Sequence, residues 1–249
     1  MRFFRHKLVV ILVGAYACIL AITVVYEAPK ISGGFVRTGN FFFGGGASHV
    51  YNLSTANSFY EAALFLDPNI SDAWHQRARI AFLKGYFKSA ETMINTQIAI
   101  HGDSFMASYY IRGLIYGYEK KYNQAEKDFS KFLTWDPTNW AANNDLAWIY
   151  FAEGKYKESA AQAENGMKYN AGNPWLLTMH AMAIYNLGEG AQAEKELLEA
   201  KSKAATLTEA EWVHSYPGND PKIASQGLAS FRETIDKDLE LVHSGAPVH

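Results

Sequence analysis

The chain has 249 residues, 49% of them apolar and 14% aromatic, with 23 lysines and arginines against 25 aspartates and glutamates and a formal net charge of −2. That composition can build a packed core and excludes disorder throughout, and the near balance of charge excludes a strongly basic nucleic-acid or anionic-membrane binder. A single cysteine, Cys18, excludes an intramolecular disulfide framework and a thiolate zinc site.

The first element is the uncharged run from Leu8 to Val25, LVVILVGAYACILAITVV. As a helix it covers about 27 Å, close to the hydrocarbon thickness of a bilayer. Arg2, Arg5 and Lys7 precede it and Glu27 follows, so the positive-inside rule places the N-terminus in the cytoplasm and the remainder on the non-cytoplasmic, periplasmic or extracellular side. A cleaved signal peptide is the alternative, because Ala15-Tyr16-Ala17 has the small-x-small form of a cleavage site. Cleavage there would leave a greasy new terminus, so an uncleaved anchor is the reading carried forward. Cys18 reads as a membrane-buried thiol rather than a lipidation site, since Tyr16 is bulky where lipoprotein signals have a small residue.

From Glu27 to about Ser48 the chain is EAPKISGGFVRTGNFFFGGGAS, six glycines and one proline without an evident helical period, and is expected to be a tether. Phe41, Phe42 and Phe43 in its middle are unusual for a solvated linker and are expected to dock on the first helices or lie at the membrane interface.

Beyond it, small residues recur at Ala78, Gly113, Ala147 and Ala181, in steps of 35, 34 and 34. Ala90, Ala125, Ser159 and Ala193 follow the same steps, and between the two series lie the turns Gly85-Tyr86, Lys120-Lys121, Gly154-Lys155 and Gly188-Glu189. Each half has a 3.6-residue apolar period, so each unit is a helical hairpin. Antiparallel helices approach closely only across small side chains, while larger apolar residues fill the space against the next hairpin. Pro68 and Pro137 each follow an aspartate where a second helix must stop. The period and the segments YYIRGLIYGYEKKYNQAEKDFSKFLTWDP and DLAWIYFAEGKYKESAAQA resemble the tetratricopeptide repeat. Trp74, Ala78, Gly85 and Ala90 mark an earlier copy, Leu177, Ala181, Gly188 and Ala193 a later one, and Ala56, Tyr60, Ala63 and Pro68 the second helix of a unit before them. Arg77, Arg112 and His180 stand where the family has an apolar residue, which puts local packing there in question.

After a break around Tyr216 to Pro221, Leu228, Phe231, Ile235, Leu239 and Val242 line one face of a helix opposite Arg232, Glu233, Asp236, Lys237 and Asp238. A capping helix is expected there, with a partner-binding helix as the alternative and a frayed final SerGlyAlaProValHis. The expected fold is all-α: about four hairpins plus a preceding half-repeat in an α-α superhelix, a C-terminal capping helix and an N-terminal transmembrane helix. Its divisions are residues 1–26 for tail and anchor, 27–48 for the linker, 49–205 for the repeats, and 206–249 for the cap and tail.

No pattern points to catalysis. The eight histidines offer no pair at helical metal-ligand spacing, Gly44-Gly45-Gly46 reads as a hinge rather than a phosphate loop, and no nucleophile elbow occurs. No enzyme activity, cofactor, metal, nucleic acid or small-molecule substrate is expected. Asn52-Leu53-Ser54 and Asn69-Ile70-Ser71 are glycosylation triplets on paper and carry little weight.

The resemblance implies a ligand groove on the concave side, drawn from one stripe of every first helix. Carried onto this chain, the stripe is His75, Arg79 and Phe82; Tyr110, Leu114 and Tyr118; Asn144, Trp148 and Phe151; and Trp175, Thr178, Met182 and Tyr185. It is aromatic with one arginine, and a large apolar patch of this kind marks an interaction surface. The competing reading is that the linker or the C-terminal helix covers part of the stripe and makes Trp148 core. The carboxylate clamp of tetratricopeptide co-chaperones is absent, because its places hold Asp72 and Gln76, Ala107 and Ile111, and Ala141 and Asp145. The expected function is a membrane-anchored adaptor that binds a partner protein or peptide in envelope-complex assembly or secretion. The alternatives are a structural subunit or homo-oligomer, and a cytosol-facing protein resembling an import receptor.

Overall fold

The computed structural model describes residues 27–44, 51–215 and 220–245, and these form helices and turns. The run Leu8–Val25, Cys18, the Ala15–Ala17 site, Gly45-Gly46 and the last four residues lie outside them. Among the described residues no helix is long and apolar enough to cross a membrane. The chain divides into two compact units, Met1–Arg77 and Ala78–His249.

In the first unit, residues 27–43 are helical (α1), followed by α2 (Leu53–Leu66) and the beginning of α3 (Ala73–Leu83). The segment expected to be a tether is therefore a helix over most of its length. Its buried positions, Ser32, Val36, Gly39 and Phe43, fall at helical spacing, but two of the four are not apolar and the period is invisible to a hydrophobicity reading. A Cβ on Gly39 would lie 2.5 Å from the Tyr60 ring, so only glycine lets α1 and α2 come this close. The Tyr60 hydroxyl donates to Asn40 Oδ1 at 2.6 Å, and Phe42 stacks on Phe59 at 5.7 Å. Of the three phenylalanines, Phe42 and Phe43 are thus held in the fold and Phe41 is exposed. The half-repeat of the sequence is a whole hairpin, with Gly39 the small residue facing α2.

The second unit continues through the rest of α3, α4 (Phe87–His101), α5 (Ala107–Tyr118), α6 (Tyr122–Trp135), α7 (Trp140–Ala152), α8 (Tyr156–Met167), α9 (Pro174–Asn186), α10 (Gly190–Thr206), α11 (Glu209–Ser215) and α12 (Ala224–Ser244). The pairs α5/α6, α7/α8 and α9/α10 are hairpins, and each packs on the next. Ala78, Ala147, Ala181, Ala90, Ala125, Ser159 and Ala193 are fully buried at the helix contacts. Gly113 completes the first series: a Cβ there would meet the Phe129 ring at 2.8 Å. Each hairpin turn needs one left-handed residue. Gly85, Gly154 and Gly188 supply it at φ of 74°, 73° and 94°, and Lys120 takes it at 58° without glycine's freedom.

The off-pattern cations are accommodated by acids. Arg112 makes a bidentate pair with buried Asp128 at 2.6 and 2.8 Å, one hairpin partner to the other. His180 occupies the same place two hairpins on and meets Glu196 at 2.6 Å. Burial disfavours its charged form, yet Glu196 and Glu164 outweigh that and raise its pKa. In the first unit, Arg77 bonds Glu61 at 2.8 Å and lies 5.5 Å from the Trp74 ring.

The C-terminal helix packs on the last hairpin. Leu228, Ile235, Leu239 and Val242 of α12 are buried, and α12 packs along α10. The Arg232 guanidinium donates to the carbonyls of Ala204, Ala205 and Leu207 at 2.9, 3.1 and 2.9 Å, supplying donors to acceptors at the end of α10. Arg232 and Asp238 depart from the polar outer face predicted for them, since both are half-buried; burial pushes the Asp238 carboxyl up to about 6.

Candidate functional site

The hairpin geometry brings the ends of α3, α5 and α7 together around a cleft of about 610 Å³. Phe82 and Leu83 come from α3, Leu114, Gly117 and Tyr118 from α5, Tyr122 from α6, Asn144, Asp145 and Trp148 from α7, and Met179 from α9. Gly117 sets the depth of the floor: a Cβ there would press on Ile149 and Trp148 at 3.1 and 3.2 Å. Phe82 meets Tyr118 edge to face at 5.2 Å, Phe87 stacks on Tyr118 at 5.7 Å, and Tyr122 meets Trp148 edge to face at 6.2 Å. These contacts hold the rings in place, yet Tyr118 and Trp148 remain 62% and 37% exposed. An ordered aromatic wall open to solvent is a surface prepared for contact.

Two charged groups interrupt the apolar lining, Lys120 in the turn after α5 and Asp145 on α7. Asp145 is half-buried, and its Oδ2 accepts the Tyr110 hydroxyl at 2.8 Å. Burial pushes its carboxyl up to about 7, against the opposing pull of hydrogen bonds from Tyr110 and Asn144. Tyr118 is raised as well, by burial first and then by the Asp145 charge, so the two groups share one local field.

The structure divides the predicted stripe. Phe82, Leu114, Tyr118, Asn144 and Trp148 line the cleft together. Tyr110 is buried behind it and reaches it through Asp145. His75 is buried and Arg79 half-buried, and neither lines the cleft. Phe151 packs on Tyr156 at 5.3 Å. The last part of the stripe is covered by α12: Trp175 stacks on Phe231 at 4.7 Å, the Tyr185 hydroxyl donates to the Leu241 carbonyl at 3.3 Å, and Met182 is buried core. Thr178 turns its hydroxyl back to the Pro174 carbonyl at 2.7 Å. The covering read as an alternative from the sequence therefore applies to the α9 end of the stripe, while Trp148 stays exposed.

Gly117, Tyr122, Asp145 and Met179 were not in the predicted stripe. Tyr122 and Asp145 carried a usable signal, an aromatic one residue past the hairpin turn and an acid three residues before Trp148. Gly117 and Met179 enter only through the packing of α5, α7 and α9. Among the described residues no group of three or more histidines, cysteines, aspartates or glutamates is placed to hold a metal ion.

Stacked hairpins with small residues at their contacts and a first-helix cleft define a tetratricopeptide-like fold. The family model for the tetratricopeptide repeat matches residues 107–139, which are α5, α6 and the turns that bound them. Solved structures share the fold at larger scale. PilW, a widely conserved type IV pilus biogenesis factor, is similar with a TM-score of 0.64 and 17% identity, over 86% of this chain and 98% of its own. MamA gives a TM-score of 0.58 at 17% identity, over 72% and 93%. YrrB, a TPR protein with an unusual peptide-binding site, gives 0.55 at 16% identity, over 78% and 90%. No curated protein sequence matches the chain.

Proposed function

We propose that the protein is a non-enzymatic adaptor that holds a segment of a partner protein in the cleft between α3, α5 and α7. The observation that carries this reading is the exposed Tyr118–Trp148 wall of a cleft whose other rings are fixed by mutual contact. YrrB, of similar fold, has a peptide-binding site, which supports the same use here. Photo-crosslinking at position 148 in cells captures the partner, and binding is then measured on the purified pair. Trp148→Ala is expected to weaken binding by about 1–3 kcal/mol while circular dichroism stays unchanged. Unaltered affinity in a folded variant would sink this reading.

The proposed setting is the cell envelope, with the chain anchored by Leu8–Val25, its first seven residues cytoplasmic and the hairpins outside. The charge bias of Arg2, Arg5 and Lys7 supports it, and so does the similarity of fold to PilW, a pilus biogenesis factor. Anchoring would confine the cleft to the membrane surface and raise the effective concentration of partners there. Proteolysis of sealed spheroplasts with intact-mass measurement should show full-length protein whose hairpins are cut from outside. A mass beginning at or after Cys18 would remove the anchor, and protection of full-length protein would reverse the topology.

A further inference from the structure

The adaptor reading leaves the chemistry of the bound segment open, and Asp145 narrows it. This carboxylate sits in a cleft lined, apart from the Asn144 amide and Lys120 at the rim, by rings and aliphatic side chains. It receives hydrogen bonds from Tyr110 and Asn144, and no described cation pairs with it. Lys120, on the rim, is exposed. A half-buried carboxylate without a counter-ion is costly, and a bound cation would supply the missing charge. The surrounding rings favour the same ligand, since the faces of tryptophan and tyrosine attract ammonium and guanidinium groups, more strongly as water is excluded. An acidic segment would meet both the carboxylate and the negative ring faces and be rejected.

We propose that the cleft is a site for a basic side chain, a lysine or arginine of a partner peptide flanked by apolar residues, with Asp145 as its counter-ion and the Tyr118, Tyr122 and Trp148 rings around it. The inference rests on the adaptor reading and adds the ligand's charge to it. It reverses the sign of the carboxylate clamp, in which the protein supplies the cations and the peptide the acid. Only the ionised form of Asp145 can act as counter-ion. The groups that share its field are the Tyr110 and Tyr118 hydroxyls from α5, the Asn144 amide on its own helix and, on the rim, Lys120. Burial raises the Tyr118 hydroxyl above its ordinary value and pushes the Asp145 carboxyl up to about 7, so Asp145 titrates between pH 6 and 8.

The test uses the full chain in detergent and a random dodecapeptide library displayed on phage, selected in parallel on wild type, Asp145→Asn and Trp148→Ala. Wild type should enrich peptides with lysine or arginine beside an aromatic or aliphatic residue. In the best synthetic peptide, replacing that lysine by norleucine should weaken binding about tenfold. Asp145→Asn, with its thermal unfolding recorded to establish folding, should bind the two peptides equally, and wild-type affinity for the lysine peptide should rise from pH 6 to pH 8. Equal binding of lysine and norleucine peptides to wild type, or tighter binding at pH 6 than at pH 8, would overturn the basic-ligand inference and leave the cleft as an apolar binding site. A lysine preference that survives in Asp145→Asn would overturn it as well. No enrichment on wild type beyond that on Trp148→Ala would overturn the adaptor reading together with it. A dimer that the peptide does not disperse would assign the cleft to a second copy of the chain, again against the proposal.

Discussion

At the scale of single residues, the chain places ionisable groups where helix packing forces them to find partners. Arg112 and His180 solve this with Asp128 and Glu196, each pair joining the two helices of one hairpin. Burial pushes the Asp145 carboxyl up to about 7, far above the ordinary aspartate value of 3.8, because the neutral Tyr110 and Asn144 donors pull it down by less than burial raises it. The consequence for stability has a definite sign. Between about pH 4 and 7 the folded chain keeps a proton that the unfolded chain releases, so this residue makes stability fall as pH rises through that window, with the full penalty above about pH 7. Asp145→Asn is expected to be more stable than wild type by about 1–2 kcal/mol at pH 8, a figure kept below the full linkage value because the group is only half-buried. The gap should close towards pH 4. Urea unfolding of both proteins at pH 4, 6 and 8 measures it, and parallel stability curves would show that Asp145 is not held in this state.

At the scale of elements, the hairpins depend on two backbone requirements: close approach of the helices and a left-handed residue in the turn. Gly113 and Gly39 meet the first, each beneath an aromatic ring of the partner helix. In the second unit the second requirement is met by glycine in three turns and by Lys120 in the fourth. Left-handed backbone costs a non-glycine residue roughly 1–2 kcal/mol, part of which glycine returns through its greater freedom in the unfolded chain. Lys120→Gly should therefore stabilise the protein by about 0.5–1 kcal/mol in thermal or chemical unfolding. Destabilisation would mean that this turn is relaxed in some other way. Most hairpins are readable from the sequence because their small residues recur at a fixed step and their apolar faces keep period. The first helix escapes that reading for two reasons. Its buried face includes Ser32 and Gly39, and Gly39 precedes Ala56 by seventeen residues where the later hairpins keep twelve.

At the scale of the molecule, the array in the second unit is closed by α12. Its Phe231 lies on Trp175 and its Arg232 reaches the last carbonyls of α10. Arg232→Ala removes three hydrogen bonds to those carbonyls and is expected to cost about 1–3 kcal/mol. Hydrogen exchange should then quicken in α12 and in the last turn of α10 before it does in α5 and α6; uniform exchange in the variant would show that α12 is held by its apolar face alone. The same closure covers Trp175 and Tyr185 at the α9 end of the predicted stripe, while Phe82, Leu114, Tyr118, Asn144 and Trp148 line the cleft.

The sequence alone determines the repeat and its period, the helical hairpin as the unit, the turns and proline stops, and an amphipathic helix at the end. All of these follow from residue size, backbone freedom and periodicity, which act within one hairpin. Tertiary structure decides which half of the aromatic stripe is covered, and that a glycine-rich segment is a helix paired with α2. It also decides that Asp145 shares a cleft with rings from α5, α6 and α7. Those outcomes depend on which helix lies against which, and a residue's exposure and charge state follow from neighbours contributed by distant parts of the chain.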